Sequence, residues 1–478
     1  MFVGRKRELE RLNGLWKKNI ASFVVIKGRR RIGKSRLIEK FCENTNTVSL
    51  SGLPPAPHIK AQDQRDEFAR QLGRIFHIPT PYSKDWGDLF WHLAHHTQKG
   101  RVVISLDEIS WIGMKDATFL GKLKIAWDQY FKKNPQLILI VCGSVSSWIE
   151  QNILSSTGFV GRIDLVIALE ELSLSECNQF WGKHTKNISP YEKFKVLSVT
   201  GGVPRYLENI VPSINAEELI RQLCFTPEGF LFREFDQIFH DLFSSRNEMY
   251  RKILECLSQS PNATLAEICN ELGVVKGGVL SKYLNDLIAA GFLRRSHSWD
   301  LRKAKSTRVS EYRISDNYIR FYLKYIAPNK ESILRGSFQD RPLGVTSGWE
   351  AVMGLQFENL VLQNRSTLYD VLNIHPSEIL CDGPYFQKPT KHRAGCQIDY
   401  MIQTKYNTLY VCEIKFSKHP IQADVIKEVQ QKVANLDTQG IMSIRPVLIH
   451  VNGVEEGVSA EGYFAEIINF GQMLGPLG

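Results

Sequence analysis

Along this chain the spacing of apolar positions changes character several times, and each change predicts a different set of elements. Residues 22–27, SFVVIK, are a β-branched and aromatic run, the pattern of a strand buried on both faces. Similar runs recur at 101–108, RVVISLDE, at 136–142, QLILIVC, and at 164–169, DLVIAL. A helix-like stretch, RLIEKFCEN, follows the first. Strands of this kind alternating with helices predict a parallel sheet covered on its faces. From about 173 to 240 the period becomes helical, broken by Gly201-Gly202-Val203-Pro204, a sharp turn into a new helix.

The helical period continues from Tyr250 in YRKILECLSQ. Next comes TLAEICNELG, with Thr264 and Glu267 at capping-box spacing. A third helix lies within VVKGGVLSKYLNDLIAAGFLRR and ends at Gly291, where a C-cap belongs. Three short helices and a strand pair around residues 294–308 predict a winged helix-turn-helix. Its third helix then offers Lys276, Ser281, Lys282 and Asn285 to a major groove, and the wing reaches the phosphate backbone. An aromatic-rich helix, DNYIRFYLKYI, packs this module against its neighbours. Beyond it a helix is expected around 349–364, followed by strands at about 379–388, 395–403 and 407–416.

A chain of 478 residues exceeds one core. The pattern divides it into a parallel-sheet core over 1–170, a helical segment over 171–245, the winged helix over 246–330 and an α/β domain over 340–478. The expected fold class is therefore multidomain α/β. Apolar runs such as Leu137 to Cys142 fall far short of the roughly 20 residues that span a bilayer, so no membrane partner is expected. The opening, MFVGRKRELERL, has no apolar signal core, which predicts a cytoplasmic location. Nine cysteines without a CxxC pair argue against a disulfide framework and suit core thiols. His92, His95 and His96 share a helix face but have no nearby Cys or acid to complete a zinc site, so they are assigned to a mixed surface.

The formal net charge is +10, and it is clustered. Arg294, Arg295, Arg302, Lys303, Lys305 and Arg308 face only Asp300, and a second knot holds Lys388, Lys391, His392 and Arg393. Each patch reads either as a solvated loop or as a polyanion contact.

Gly28, Arg29, Arg30, Arg31, Ile32, Gly33, Lys34 and Ser35 spell G-x-x-x-x-G-K-S between a strand and a helix. That context lets backbone N–H groups and a helix N-terminus cradle the phosphates of ATP. Lys34 is expected at the β- and γ-phosphates and Ser35 on Mg²⁺. The acids ending RVVISLDE complete the site, with Asp107 holding the metal and Glu108 activating water. Ser144 sits where a polar group reaches the γ-phosphate or the water. Arg162 neutralises transition-state charge in cis or, in a homo-oligomer, across a subunit boundary; the alternative is a surface ion pair.

Together FVGRKRELERL, GRRRIGKS, VVISLDE, CGSVSSW, the GR before a strand and GGVPRYL resemble the archaeal-type ATPases, a branch of the AAA+/STAND P-loop proteins. The resemblance covers about the first half of the chain. It implies that Phe2, Val3 and Arg5 lie near adenine, and that GGVPR, with Pro204, closes over the nucleotide.

The last 130 or so residues carry other chemistry. Asp399 lies on one expected strand, and Glu413 and Lys415 lie two apart on the next, facing one side. This order resembles a restriction-endonuclease-like, PD-(D/E)XK site. Asp399 and Glu413 share a hard cation, Mg²⁺ or Mn²⁺, and Lys415 steadies hydroxide or the pentavalent phosphate. Glu358 fits that family's accessory acid, and Gln430 its polar contact on the following helix. With the first half, the chain resembles DEXX-type ATPases whose C-terminal part is nuclease-related. The leading expectation is an ATP-driven, cation-dependent enzyme of nucleic acid, DNA before RNA. A STAND-type switch that binds without cutting, and a protein-docking ATPase, are the alternatives.

Overall fold

The computed structural model describes residues 2–56, 58–113, 115–144, 146–243, 247–338, 342–389, 394–438 and 442–475. Two compact units emerge, one built on Met1–Glu170 and the other on Glu171–Phe239 with most of the chain beyond Ser245.

The first unit is a five-stranded parallel sheet of β1 (Ser22–Lys27), β2 (Asn46–Ser51), β3 (Val102–Asp107), β4 (Leu137–Gly143) and β5 (Ile163–Ala168), in the order β2-β3-β4-β1-β5. Successive side chains of β1 enter opposite cores. Phe23 and Val25 pack with Trp86, Phe90 and Phe119, while Val24 and Ile26 pack with Leu12, Leu37 and Ile38. This explains why β1 reads as an unbroken apolar run. Because all strands run the same way, the residues after β1, β3 and β4 gather at one edge, where parallel sheets bind ligands. β4 stands between the strands that carry the phosphate loop and Asp107.

The second unit opens with helices that include Pro190–Thr200 and Pro204–Leu207. Helices Asn247–Gln259, Leu265–Leu272 and Gly278–Ala289 follow, with a three-stranded antiparallel sheet of β6 (Ala263–Thr264), β7 (Leu293–Asp300) and β8 (Lys305–Ile314), in the order β6-β8-β7. The expected capping box is formed, since Thr264 Oγ accepts from Glu267 N–H and the Glu267 carboxylate accepts from Thr264 N–H.

A mixed five-stranded sheet ends the chain, ordered β13-β12-β11-β10-β9. Strands β9 (Ile379–Gln387), β10 (Cys396–Thr404) and β11 (Thr408–Lys415) are antiparallel; β12 (Ser443–His450) and β13 (Glu466–Asn469) run parallel to β11. Helix Trp349–Gln363 packs on β11, and helix Asp424–Asn435 lies against β10.

A buried polar seam joins these parts of the second unit. Gln356, fully buried, donates to Ser198 O and Asn317 O, while Arg320 donates to Gln356 and to Ile314 O. Asn359 donates to Ile314 O and Asn317 Oδ1. Satisfied networks of this kind fix one arrangement, because any displaced member leaves a buried polar atom unpaired. The hairpin β7–β8 is fixed as well. Trp299 and Leu301 belong to the core of the C-terminal sheet, and Trp299 donates its indole N–H to Gln403. Among the described residues no helix is long and apolar enough to cross a membrane.

Candidate active sites

The phosphate loop is shaped by backbone the sequence makes affordable. Arg31 and Gly33 take left-handed φ of 70° and 90°, and helix Lys34–Cys42 starts directly after. A Cβ on Gly28 would lie 2.7 Å from Leu169 O, so that position excludes every larger residue. Lys34 is buried and donates to Gly28 O at 3.0 Å and Arg29 O at 3.1 Å, straddling the loop. Burial lowers its pKa, and the nearby Glu108 carboxylate opposes that shift.

Asp107 ends β3 and accepts from Ser35 Oγ at 2.9 Å, from its neighbour's N–H at 2.9 Å and from the Cys142 thiol at 2.9 Å. Glu108 follows in a left-handed conformation, φ 50° and ψ 51°. A non-glycine residue there stores strain and needs a reason to stay. The reason is Ser144 at the end of β4, which donates its hydroxyl to both Glu108 oxygens at 3.0 and 2.9 Å and its N–H at 3.1 Å. Arg5 donates to Ile32 O at 3.1 Å and Glu170 O at 2.7 Å, so its guanidinium braces the loop's backbone.

One expected residue stands elsewhere. Arg162 does not reach this edge. It precedes β5, whose Ile163 pairs with Phe23 while Ala168 pairs with Lys27, so it sits at the opposite end of the sheet. There it holds Asp128 through both Nε and Nη2 at 2.9 Å, the ion pair that was the alternative reading. Pro204 belongs to the second unit, where it opens the Pro204–Leu207 helix. Packing accounts for the glycines before it, since Gly202 N–H donates to Glu171 at 2.7 Å and a Cβ there would meet Leu172 O at 2.4 Å.

The sequence of residues 2–210 matches the family described as an ATPase domain predominantly from Archaea. Residues 2–210 are an archaeal-type P-loop ATPase domain. The chain is 28% identical over 361 residues to an uncharacterized protein of Methanocaldococcus jannaschii, MJECL04, across 75% of this chain and 76% of that one. A second protein of that organism, the uncharacterized ATP-binding protein MJ0423, is 54% identical over 44 residues, 9% of this chain and 75% of its own length. In fold the chain is similar to the Walker-type ATPase PABY2304 of Pyrococcus abyssi, with TM-score 0.50 and 16% identity over 67% of this chain and 96% of that one. The ATPase domain binds ATP, and Ser35 and Asp107, two hard oxygen donors in contact, suit the Mg²⁺ that accompanies it.

The second candidate site lies in the C-terminal sheet. Tyr400 pairs with Cys412 in the antiparallel β10–β11 ladder, so Asp399 stands across from Glu413. Asp399 accepts from Ile414 N–H at 2.9 Å. Burial pushes its carboxyl up to about 6, with the Glu358 charge adding to the effect. Burial, then Asp399, raises Glu413 as well. Two facing carboxylates that resist ionisation are a donor set suited to a hard divalent cation. Glu358 is engaged by Arg313 at 3.2 Å, and among the described residues no three His, Cys, Asp or Glu side chains converge tightly enough to hold a metal.

Lysines answer the acids. Lys415 Nζ lies 3.6 Å from Glu413 but 2.5 Å from Glu428. Lys432 donates to the other Glu413 oxygen at 2.5 Å. Sequence reasoning missed both Glu428 and Lys432, although their i, i+4 spacing runs beside Val425 and Val429, the buried stripe of that helix. Gln430 points instead to the exposed side.

The basic hairpin is a partial correction. Arg294 donates to Leu362 O in helix Trp349–Gln363 and Arg302 pairs with Asp437 just beyond helix Asp424–Asn435, so part of the expected wing contact is spent on the helices around the C-terminal sheet. Lys303, Lys305 and Arg308 remain exposed, as do Lys282 and Asn285 on the third helix and Lys276 just before it, outside the helix where it was expected. Of the second basic knot, Lys391, His392 and Arg393 lie outside the described residues.

Proposed function

We propose that the chain is an ATP-driven, cation-dependent enzyme of nucleic acid, most simply DNA. In the ATPase domain, Lys34 and the loop N–H groups hold the triphosphate, and Ser35 with Asp107 orients its Mg²⁺. Glu108, steadied by Ser144, accepts a proton from the attacking water. The GGVPR turn closes over the nucleotide. The 246–330 module is a winged helix that meets the duplex through Lys282 and Asn285 of its third helix and Lys276 just before it, while its hairpin serves as a strut to the tail.

The tail is a restriction-endonuclease-like domain. The observation that carries this reading is the juxtaposition of Asp399 and Glu413 on adjacent strands with lysines at the same place. These acids would hold Mg²⁺ or Mn²⁺, which supplies Lewis acidity and an activated water when bound. Lys415 neutralises charge that grows on the phosphate, and Glu358 is the accessory acid. A non-cutting switch of the STAND kind is favoured by one feature, the pairing of Glu413 with lysine ammonium groups.

Supercoiled DNA incubated with the full chain and Mg²⁺ or Mn²⁺, with and without ATP, separates the two. Nicking that Asp399→Ala and Lys415→Ala abolish supports the enzyme. Salt-sensitive binding without nicking supports the switch. Nicking that survives both substitutions overturns this assignment of the site.

A further inference from the structure

Burial makes a pair of facing carboxylates costly to ionise, and positive charge beside Asp399 and Glu413 offsets that cost whenever they are ionised. The chain supplies two ammonium groups, and they are not equivalent. Lys415, the lysine of the E-x-K pattern, is held by Glu428 at 2.5 Å and stands 3.6 Å from Glu413. Lys432 comes from the helix over the sheet and lies 2.5 Å from Glu413, whose side chain is almost wholly buried. Of the lysines on this acid, Lys432 makes the closer contact.

We propose that Lys432 is a built-in counter-cation, an ammonium that occupies the cation-facing side of Glu413 and leaves it when a divalent ion enters. This inference rests on the reading of Asp399 and Glu413 as a cation site. The exchange keeps the carboxylate compensated, because a divalent cation takes the place of a monovalent one and adds a charge that Asp399 shares. A flexible four-carbon stem lets a lysine make such a move, which a planar guanidinium held by two bonds resists. Lys432 keeps about 29% of its side chain in contact with solvent, so an outward path is open. Lys415 stays behind on Glu428, ready to face phosphate.

The test is direct cation binding by the full chain without nucleotide. Free Mn²⁺ is counted by electron paramagnetic resonance, and the Asp399→Asn variant defines the portion bound at this site. Lys432→Met and Lys432→Gln should each tighten that portion about tenfold or more, since both remove a competing charge. The second variant keeps a hydrogen-bond donor toward Glu413 and guards against a fold defect in the first. Lys432→Arg should bind no more tightly than the unaltered chain, and Lys415→Met should shift affinity by less than about threefold. Unchanged or weaker binding in both Lys432 variants, with binding still lost in Asp399→Asn, overturns the counter-cation and leaves the cation site standing. Equal tightening by Lys415→Met also overturns it, because that marks a diffuse field and not occupancy. Mn²⁺ binding indifferent to Asp399→Asn in every variant overturns the cation site itself, and the inference with it.

Discussion

The phosphate-loop site and the acidic site of the C-terminal sheet use the same parts, two carboxylates and lysine, yet arrange them oppositely. Around the loop, Lys34 is turned onto backbone carbonyls, and the acids are held by neutral donors: the Ser35 and Ser144 hydroxyls, the Cys142 thiol and backbone N–H groups. In the sheet site two ammonium groups sit on one of the carboxylates, Glu413, while Asp399 accepts from Ile414 N–H. The first arrangement leaves charge of both signs free to meet a ligand that itself carries both, a nucleotide with its metal. The second compensates its own charge, so on the proposed reading an ion pair there breaks before a cation enters. The two sites therefore answer removal of a single side chain differently.

The largest effects are expected at the loop. Glu108→Gln should lower kcat for ATP by about 100- to 1,000-fold while leaving the nucleotide Kd within about twofold, because the amide keeps the hydrogen bonding but loses the base. Lys34→Ala should weaken nucleotide binding by about 100-fold, near 3 kcal/mol, for loss of a charge-assisted contact to phosphate. A fluorescent nucleotide titration with steady-state phosphate release reads both. If Glu108→Gln lost affinity and kept its turnover, the division of roles at this site would be wrong.

These residues were legible because the loop is local. Eight consecutive positions carry a backbone shape, and a short strand ending in two acids completes it, so pattern and chemistry coincide in the chain. Asp399, Glu413 and Lys415 were half as legible. Their strands alternate clearly, and β9 to β11 fall within about one residue of the expected bounds, but their partners come from sequence far away. Lys432 was hidden because an amphipathic helix shows which face is buried and not what that face meets. Gln356 and Asn359 were hidden beside Glu358 for the same reason, since their fully buried bonds go to segments 317 and 198. Strand β12 was not expected, and Pro446 within it breaks the usual strand signal.

At the sheet site the contrast appears as stability. Holding Asp399 ionised in the fold opposes its tendency, so its carboxyl rises from 3.8 to about 6. A raised acid destabilises the fold once it is ionised, and the cost is full above the folded value and absent below the unfolded one. That shift corresponds to at most about 3 kcal/mol, trimmed to about 1–3 by partial solvent contact. Asp399→Asn should thus raise the melting midpoint near pH 7.5, and the gain should shrink as pH falls from about 6 toward 4. A loop acid offers the counter-case. Asp107 is met by hydroxyl, thiol and N–H donors, so Asp107→Asn should give no comparable gain. Scanning calorimetry across that pH range would break the comparison if the two substitutions behaved alike.

The smallest effect is expected at Arg162, and its smallness is informative. From Ile163 to Ala168 the strand covers five steps of about 3.3 Å, which puts Arg162 roughly 17 Å or more from the loop edge. Its guanidinium is engaged by Asp128, whose carboxyl is held well below the usual range first by that hydrogen bond. Arg162→Ala should therefore change the nucleotide Kd of a dilute, monomeric sample by less than about twofold, since no screened charge acts strongly over that span. A tenfold loss of affinity in such a sample would mean that this arginine leaves Asp128 and reaches the phosphates of its own chain. A turnover defect that appears only as protein concentration rises would instead make the residue a donor to a neighbouring copy, with the Asp128 pair as its resting place.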